Sequence, residues 1–149
     1  NYINSARDYQ PALREALSYL GCSLVEFASS KFHEHALGIK VSETNGTCKI
    51  IAVYPSSVAD AAGISIQDEI LGINTIPVKP EHAGGSFTEW CNYFADQPLL
   101  LTLSSNFRIR QVKIIPAPFQ FYKGIKVQKE EKVNPGQKQN YRLWCGYEF

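Results

Sequence analysis

The sequence contains no methionine and starts at Asn1. It therefore reads as a cut or processed piece of a longer chain. Residues 1–20 hold no basic start followed by an apolar run, so no signal peptide is expected within them. No stretch approaches ~18 consecutive apolar residues, which excludes a membrane-spanning helix. Fifteen basic side chains stand against fourteen acidic ones, for a formal net charge of +1. With no basic excess to neutralise phosphates, nucleic acid is excluded as a partner. Cysteine is sparse and unpatterned. Cys22, Cys48, Cys91 and Cys145 form no C-x-x-C pair, which argues against a zinc ribbon and a thioredoxin-type site. A chain of this length does not need disulfides, so free thiols are expected. That leans toward a reducing compartment, with the periplasm open to a parent chain that carries a signal.

What remains is apolar enough to fold. Hydrophobic residues make up 44% of the 149 positions and aromatic ones 12%, the composition of a single domain with a core. Ala12, Leu13, Ala16, Leu17 and Leu20 fall at helical spacing, with Pro11 in the first turn and Gly21 as the stop, predicting a helix over 7–20. Strands are expected at 22–27, 37–41, 49–54, 69–73 and 75–78, with Asn45-Gly46 as a hairpin turn. Ser57 to Ala62 reads as one or two helical turns stopped by Gly63. Ser86-Phe87-Thr88-Glu89 is a capping box, and Phe87, Trp90, Cys91 and Phe94 follow it as one apolar stripe. Two longer strands, 99–103 and 107–115, flank a turn at Ser105-Asn106. Beyond them, the cluster Lys129 to Lys132 reads as a solvated surface crossing. Asn134-Pro135 opens a last helix over 135–145, stopped by Gly146. The fold class expected is α+β: a partly open five- to six-stranded barrel or sandwich capped by two helices, with an N-terminal helix and a C-terminal helical extension.

Residues 57–75, SVADAAGISIQDEILGINT, resemble the central PDZ signature S-P-A-x-x-A-G-L-x-x-G-D-x-I-L-x-I-N-G. Val58, Gln67 and Thr75 depart from it, the last two where glycine is usual. Ala36-Leu37-Gly38-Ile39 is similar to the carboxylate-binding loop of PDZ domains, and Phe87 to Ala95 to their second helix. The flanks are similar to the glycyl aminopeptidase family of thermolysin-like zinc metallopeptidases, in which a PDZ domain follows the catalytic domain. Tyr2 to Phe27 looks like the segment leaving that catalytic domain. Asn134-Pro135-Gly136-Gln137-Lys138 through Leu143-Trp144 looks like the family's closing helix. The resemblance implies three segments: 1–29 linking from a catalytic domain, 30–115 as the PDZ domain, and 116–149 as an extension. It also implies a parent aminopeptidase whose zinc would sit in that other domain, with no cofactor in this chain.

The residues themselves show no bond-breaking machinery. A zinc helix needs two imidazoles one turn apart. His33 has Leu37 four residues on, so His33-Glu34-His35 lacks the second ligand, and only His82 remains. His33 and His35 would share a face on a strand, but two ligands make a weak metal site. No G-x-S-x-G elbow occurs, no cysteine has a histidine near it in sequence, and Gly84-Gly85 precedes no phosphate-loop Lys-Ser/Thr. An enzyme is not expected. The resemblance implies instead that the amides of Leu37, Gly38 and Ile39 hold a peptide carboxylate. Lys40, Val41, Phe87, Cys91 and Ala95 would line the groove of strand addition. Gly38 would allow the close approach of that carboxylate. Phe87 and Cys91 stand as groove wall or core, whereas Trp90 and Phe94 are assigned to the core. After Ile115, Pro116 and the rings of Phe119, Phe121, Tyr122, Tyr141, Trp144, Tyr147 and Phe149 are too many to leave solvated. They pack on this chain or on the catalytic domain. Three readings follow: a non-catalytic peptide-binding module, its partner a peptide or protein C-terminus; a scaffold packed on the parent's catalytic domain; or the PDZ domain of another protease, such as a high-temperature-requirement serine protease.

Overall fold

The computed structural model describes residues 9–117 and 121–149. Residues 7 and 8 of the predicted helix, and Phe119 of the aromatic tail, lie outside them. Backbone contacts divide the chain into two compact units, Asn1–Phe27 with Ile125–Phe149, and Ala28–Gly124. The sequence reading treats the two flanks as separate segments; here they share one unit.

The flanking unit holds α1 (Gln10–Tyr19), β1 (Cys22–Phe27), β8 (Gly124–Lys129) and α4 (Pro135–Cys145). Its small core is Leu17, Cys22 and Leu24, with Leu20 and Tyr141 packed on it. Asn134 caps α4, its side chain accepting the Gln137 N–H at 2.8 Å while Gln137 accepts the Asn134 N–H at 2.9 Å. Lys129 to Lys132 are exposed, as expected, but the stretch leading to them is a strand, β8, which pairs with β1. The expected cover for the aromatic tail is partial. Tyr141 and Phe149 meet edge to face at 5.2 Å, while Trp144 is 73% and Tyr147 76% exposed.

The larger unit is one antiparallel sheet with helices against it, an α+β arrangement that does not close. Its strands are β2 (Ile39–Thr44), β3 (Thr47–Val53), β4 (Glu69–Ile73), β5 (Ile76–Pro77), β6 (Leu99–Ser105) and β7 (Arg108–Ile114). They run in the order β2-β3-β4-β6-β7, with β5 paired to β4. The two helices are α2 (Val58–Ala61) and α3 (Phe87–Tyr93). Alternation sets the faces: Leu99, Leu101 and Leu103 of β6 are buried while their neighbours are half-buried. With Ile50, Ile70, Ile73, Phe87 and Ile114 they form one continuous core.

Turn chemistry fixes the register. Asn45 and Gly46 both take positive φ, 52° and 73°, as a two-residue hairpin requires. Gln67 and Thr75, the departures from glycine, take φ of 76° and 67°. The turns of the signature therefore survive with side chains held in the left-handed region. The β6–β7 turn falls on Asn106 and Phe107, φ 50° and 63°, one residue later than expected. Asp68, buried at the end of the α2–β4 loop, accepts the Ser65 N–H at 3.0 Å and pairs with Arg110 at 3.2 Å.

Candidate functional site

The loop before β2 is helical, not extended. His33–Leu37 form a single π-helical turn that Gly38 ends at φ 79°, its N–H donating to the His33 carbonyl. The Gly38 carbonyl accepts the Tyr54 N–H at 2.7 Å, tying the loop to the end of β3. A Cβ on Gly38 would lie 2.4 Å from the Ser57 Cβ and 3.3 Å from the Phe121 ring. Glycine here accommodates the chain's own residues, where the sequence reading invoked an incoming carboxylate. Ser57 cannot withdraw, because its hydroxyl caps α2 by accepting the Asp60 N–H.

The three loop residues are buried. Leu37 and Ile39 have no exposed surface, and Gly38 is buried between them. Ala117 N–H donates to the Ala36 carbonyl at 2.9 Å, and Phe121 N–H to the His35 carbonyl at 3.2 Å. The Phe121 ring lies 5.4 Å from that of Tyr54, and the Lys40 ammonium sits 4.7 Å over the Tyr122 ring.

Beside this loop, β2 is a sheet margin. It pairs with β3 through a bulge between Lys40 and Val41 and with no other strand among the described residues. The helix α3 starts at the capping box that the sequence shows, Ser86 accepting the Glu89 N–H at 3.2 Å. Phe87 and Cys91 are both fully buried and join Leu37 and Ile39 in the core, with Val41 and Ala95 packed on its edge. Lys40 is half-buried. Trp90 and Phe94, assigned to the core by sequence, are half-buried and stack 5.9 Å apart; Tyr93 beside them is 73% exposed. The Trp90 indole N–H is enclosed without an acceptor among the described residues.

The far end of β2 meets α3 through residues that sequence reading missed. The Glu43 carboxylate accepts the Phe87 N–H and the Thr88 hydroxyl, the latter at 3.0 Å. An anion at the first turn of a helix is favourable by charge as well as by hydrogen bonding. His33 lies behind it, fully buried, with Nδ1 3.0 Å from the Ile39 carbonyl and Nε2 3.2 Å from the Thr88 hydroxyl. The ring is 5.5 Å from that of Phe87. His33 and His35 share a helical turn, not a strand face, and no three-ligand metal group occurs among the described residues. Burial pushes the His33 imidazole below its ordinary range. It also raises the Cys91 thiol, and that of Cys48, to which the Glu43 charge adds. Raised thiols are poor nucleophiles. Residues 33, 43 and 88 are far apart in the chain, and no spacing links them. The one available signal was Glu43 at the end of a strand fixed by the Asn45-Gly46 turn.

No family model matches the chain, and no curated protein matches it. Among solved structures it is similar to an aminopeptidase N family protein from Idiomarina loihiensis, at 15% identity and a TM-score of 0.57, over 86% of this chain and 25% of that one. It is also similar to the HtrA3 PDZ domain bound to a phage-derived ligand (FGRWV), at 18% identity and TM-score 0.45, over 72% of this chain and 92% of that one. A PDZ domain protein from Parabacteroides distasonis gives 22% identity and TM-score 0.44, over 80% of this chain and 25% of that one. The chain thus spans a quarter of the length of two of these three. At such identities the likeness to the Idiomarina protein concerns the fold alone.

Proposed function

We propose that the larger unit is a PDZ-type module that binds an extended peptide by strand addition along β2. The observation that carries this is the free margin of β2, open opposite β3 and flanked by the half-buried face of α3. A peptide there gains main-chain hydrogen bonds from β2 and side-chain contacts from Val41, Phe94 and Ala95. The PDZ signature at 57–75 supports the same reading. In this reading the chain itself is non-catalytic: its sequence carries no H-E-x-x-H motif, and burial pushes the Cys48 and Cys91 thiols up. The flanking resemblances support a parent zinc aminopeptidase with its metal in another domain.

The test is selection from a phage-displayed library of random C-terminal heptapeptides, followed by NMR titration with the selected peptide. Shifts should centre on Lys40 to Thr44 and on Trp90, Phe94 and Ala95. Shifts confined elsewhere, or no binder at all, would refute the module.

A second reading is favoured by the burial of Leu37 and Ile39 and by the Phe121 ring lying against Gly38 between them. On it the domain is a scaffold, packed on the parent's catalytic domain, whose carboxylate loop is occupied by its own chain. An amidated copy of the selected peptide separates the cases. If the Leu37, Gly38 and Ile39 amides hold the carboxylate, amidation weakens binding at least tenfold, the scale of charge-assisted hydrogen bonds. Equal affinity leaves those amides without a role in binding.

A further inference from the structure

The polar residues at the far end of the groove contain one proton too few. The Ile39 carbonyl can only accept, so the His33 nitrogen 3.0 Å from it, Nδ1, carries a hydrogen. In a neutral ring Nε2 is then an acceptor. It faces the Thr88 hydroxyl at 3.2 Å, and that hydroxyl also lies 3.0 Å from the Glu43 carboxylate. Threonine has a single O–H to donate. With His33 neutral it satisfies Nε2 or Glu43, and the other contact sets lone pair against lone pair. With His33 doubly protonated the chain closes: Nε2–H donates to the Thr88 oxygen, and its O–H donates to Glu43. The Glu43 carboxylate already accepts the Phe87 N–H.

We propose that His33, Thr88 and Glu43 form a proton-operated clasp that ties β2 to the first turn of α3 and regulates the groove between them. The effect on peptide rests on the reading of that groove as a binding site. Protonation draws the strand and helix together and disfavours an added strand; loss of the proton frees the gap. The groups around the clasp set where it operates. Lys31, Glu34 and His35 belong to the imidazole's own segment, Glu43 comes from β2, and Cys91 from α3. Cys48 of β3 stands opposite Glu43 in the strand register, and its thiol bonds that carboxylate. Burial, the largest influence, and Lys31 oppose the proton on His33, whereas the bond to the Ile39 carbonyl, Glu34 and Glu43 favour it; the balance is downward, so closure belongs below the ordinary imidazole range.

The experiment is NMR on the 149-residue chain across the titration of His33. The neutral ring should carry its proton on Nδ1, and the Phe87 amide should shift with the His33 midpoint. In Thr88→Val, which keeps the shape and removes the hydroxyl, His33 should still titrate without moving Phe87. Thr88→Ser should restore the coupling. A proton on Nε2, a silent Phe87 amide, or equal coupling in Thr88→Val would overturn the clasp. The library-selected peptide supplies the second readout. Its affinity should weaken roughly tenfold on protonation in the native chain, the scale of one net hydrogen bond, and stay flat in Thr88→Val. If coupling is present but affinity ignores pH, the regulatory role falls. If no peptide binds at any pH, the groove reading falls, and the Phe87 response alone decides the clasp.

Discussion

Thr75→Gly should make the protein more stable, although it removes a side chain. The β4–β5 connection has two residues, Asn74 and Thr75, between the paired Ile73 and Ile76. Both take positive φ, 49° and 67°. Asn74 cannot relax, because its N–H donates to the Leu100 carbonyl at 2.8 Å and its side chain accepts the Leu100 N–H at 2.9 Å. The turn is thus pinned to β6, and Thr75 must follow. A left-handed backbone costs an ordinary L-residue about 1–2 kcal/mol, with a β-branched one at the upper end. Glycine removes that cost but adds unfolded-state freedom of about 0.5–1 kcal/mol. The net gain is about 1–1.5 kcal/mol, or roughly 2–6 °C in melting temperature for a chain of this size. Thermal unfolding followed by circular dichroism measures it. A melting temperature that is unchanged or lower would show that the Thr75 side chain contributes more than its backbone costs. Gly46→Thr is the mirror experiment, placing threonine at the equivalent position of the β2–β3 turn, and should destabilise by a similar amount.

Gly38→Ala should cost about 2–4 kcal/mol, combining the left-handed backbone with overlap on Ser57, and urea unfolding would read it; a cost under ~1 kcal/mol would mean that the loop yields easily. Acidification should destabilise the fold through His33. Its folded pKa lies below the ordinary 6.5, so the unfolded chain binds the proton more readily, and stability present above pH 6.5 is lost as pH falls toward the folded value. His33→Gln should flatten that part of the pH profile, and an unchanged slope would refute the assignment. Thiol modification of the native chain should label Cys145, the half-buried one, well before the buried Cys22, Cys48 and Cys91. Mass spectrometry of the adducts would check this, and early labelling of Cys91 would show that α3 opens.

The elements were legible where a local rule dictates them. The capping box at Ser86, the helix start at Asn134-Pro135 and the Asn45-Gly46 turn lie where the residues put them, because each is decided within four positions. The signature at 57–75 survived its two lost glycines because tertiary bonds hold the turns: the Gln67 N–H donates to the Ile50 carbonyl at 2.8 Å, as Asn74 does to Leu100. Non-local pairing was not legible. Gly124 to Lys129 has no strand partner nearby in sequence, and charge at its end suggested a crossing; its partner is β1, about a hundred residues earlier. Burial on α3 was left open for a related reason. The helical stripe is wide enough to include Phe87, Trp90, Cys91 and Phe94, and only the position of the sheet decides that Phe87 and Cys91 face inward. The clasp was invisible because its three members come from a turn, a strand and a helix that only the fold assembles.

The pairing of β1 with β8 has a mechanical consequence. The Glu130 N–H donates to the Gly21 carbonyl, so the start of one strand lies beside the end of the other, and the backbone leaves for the larger unit and returns from it along a shared two-strand stem. Tension applied between the two outer ends of the described chain, at Tyr9 and Phe149, would load that stem first. The interposed sheet would feel no force until β1 and β8 had separated.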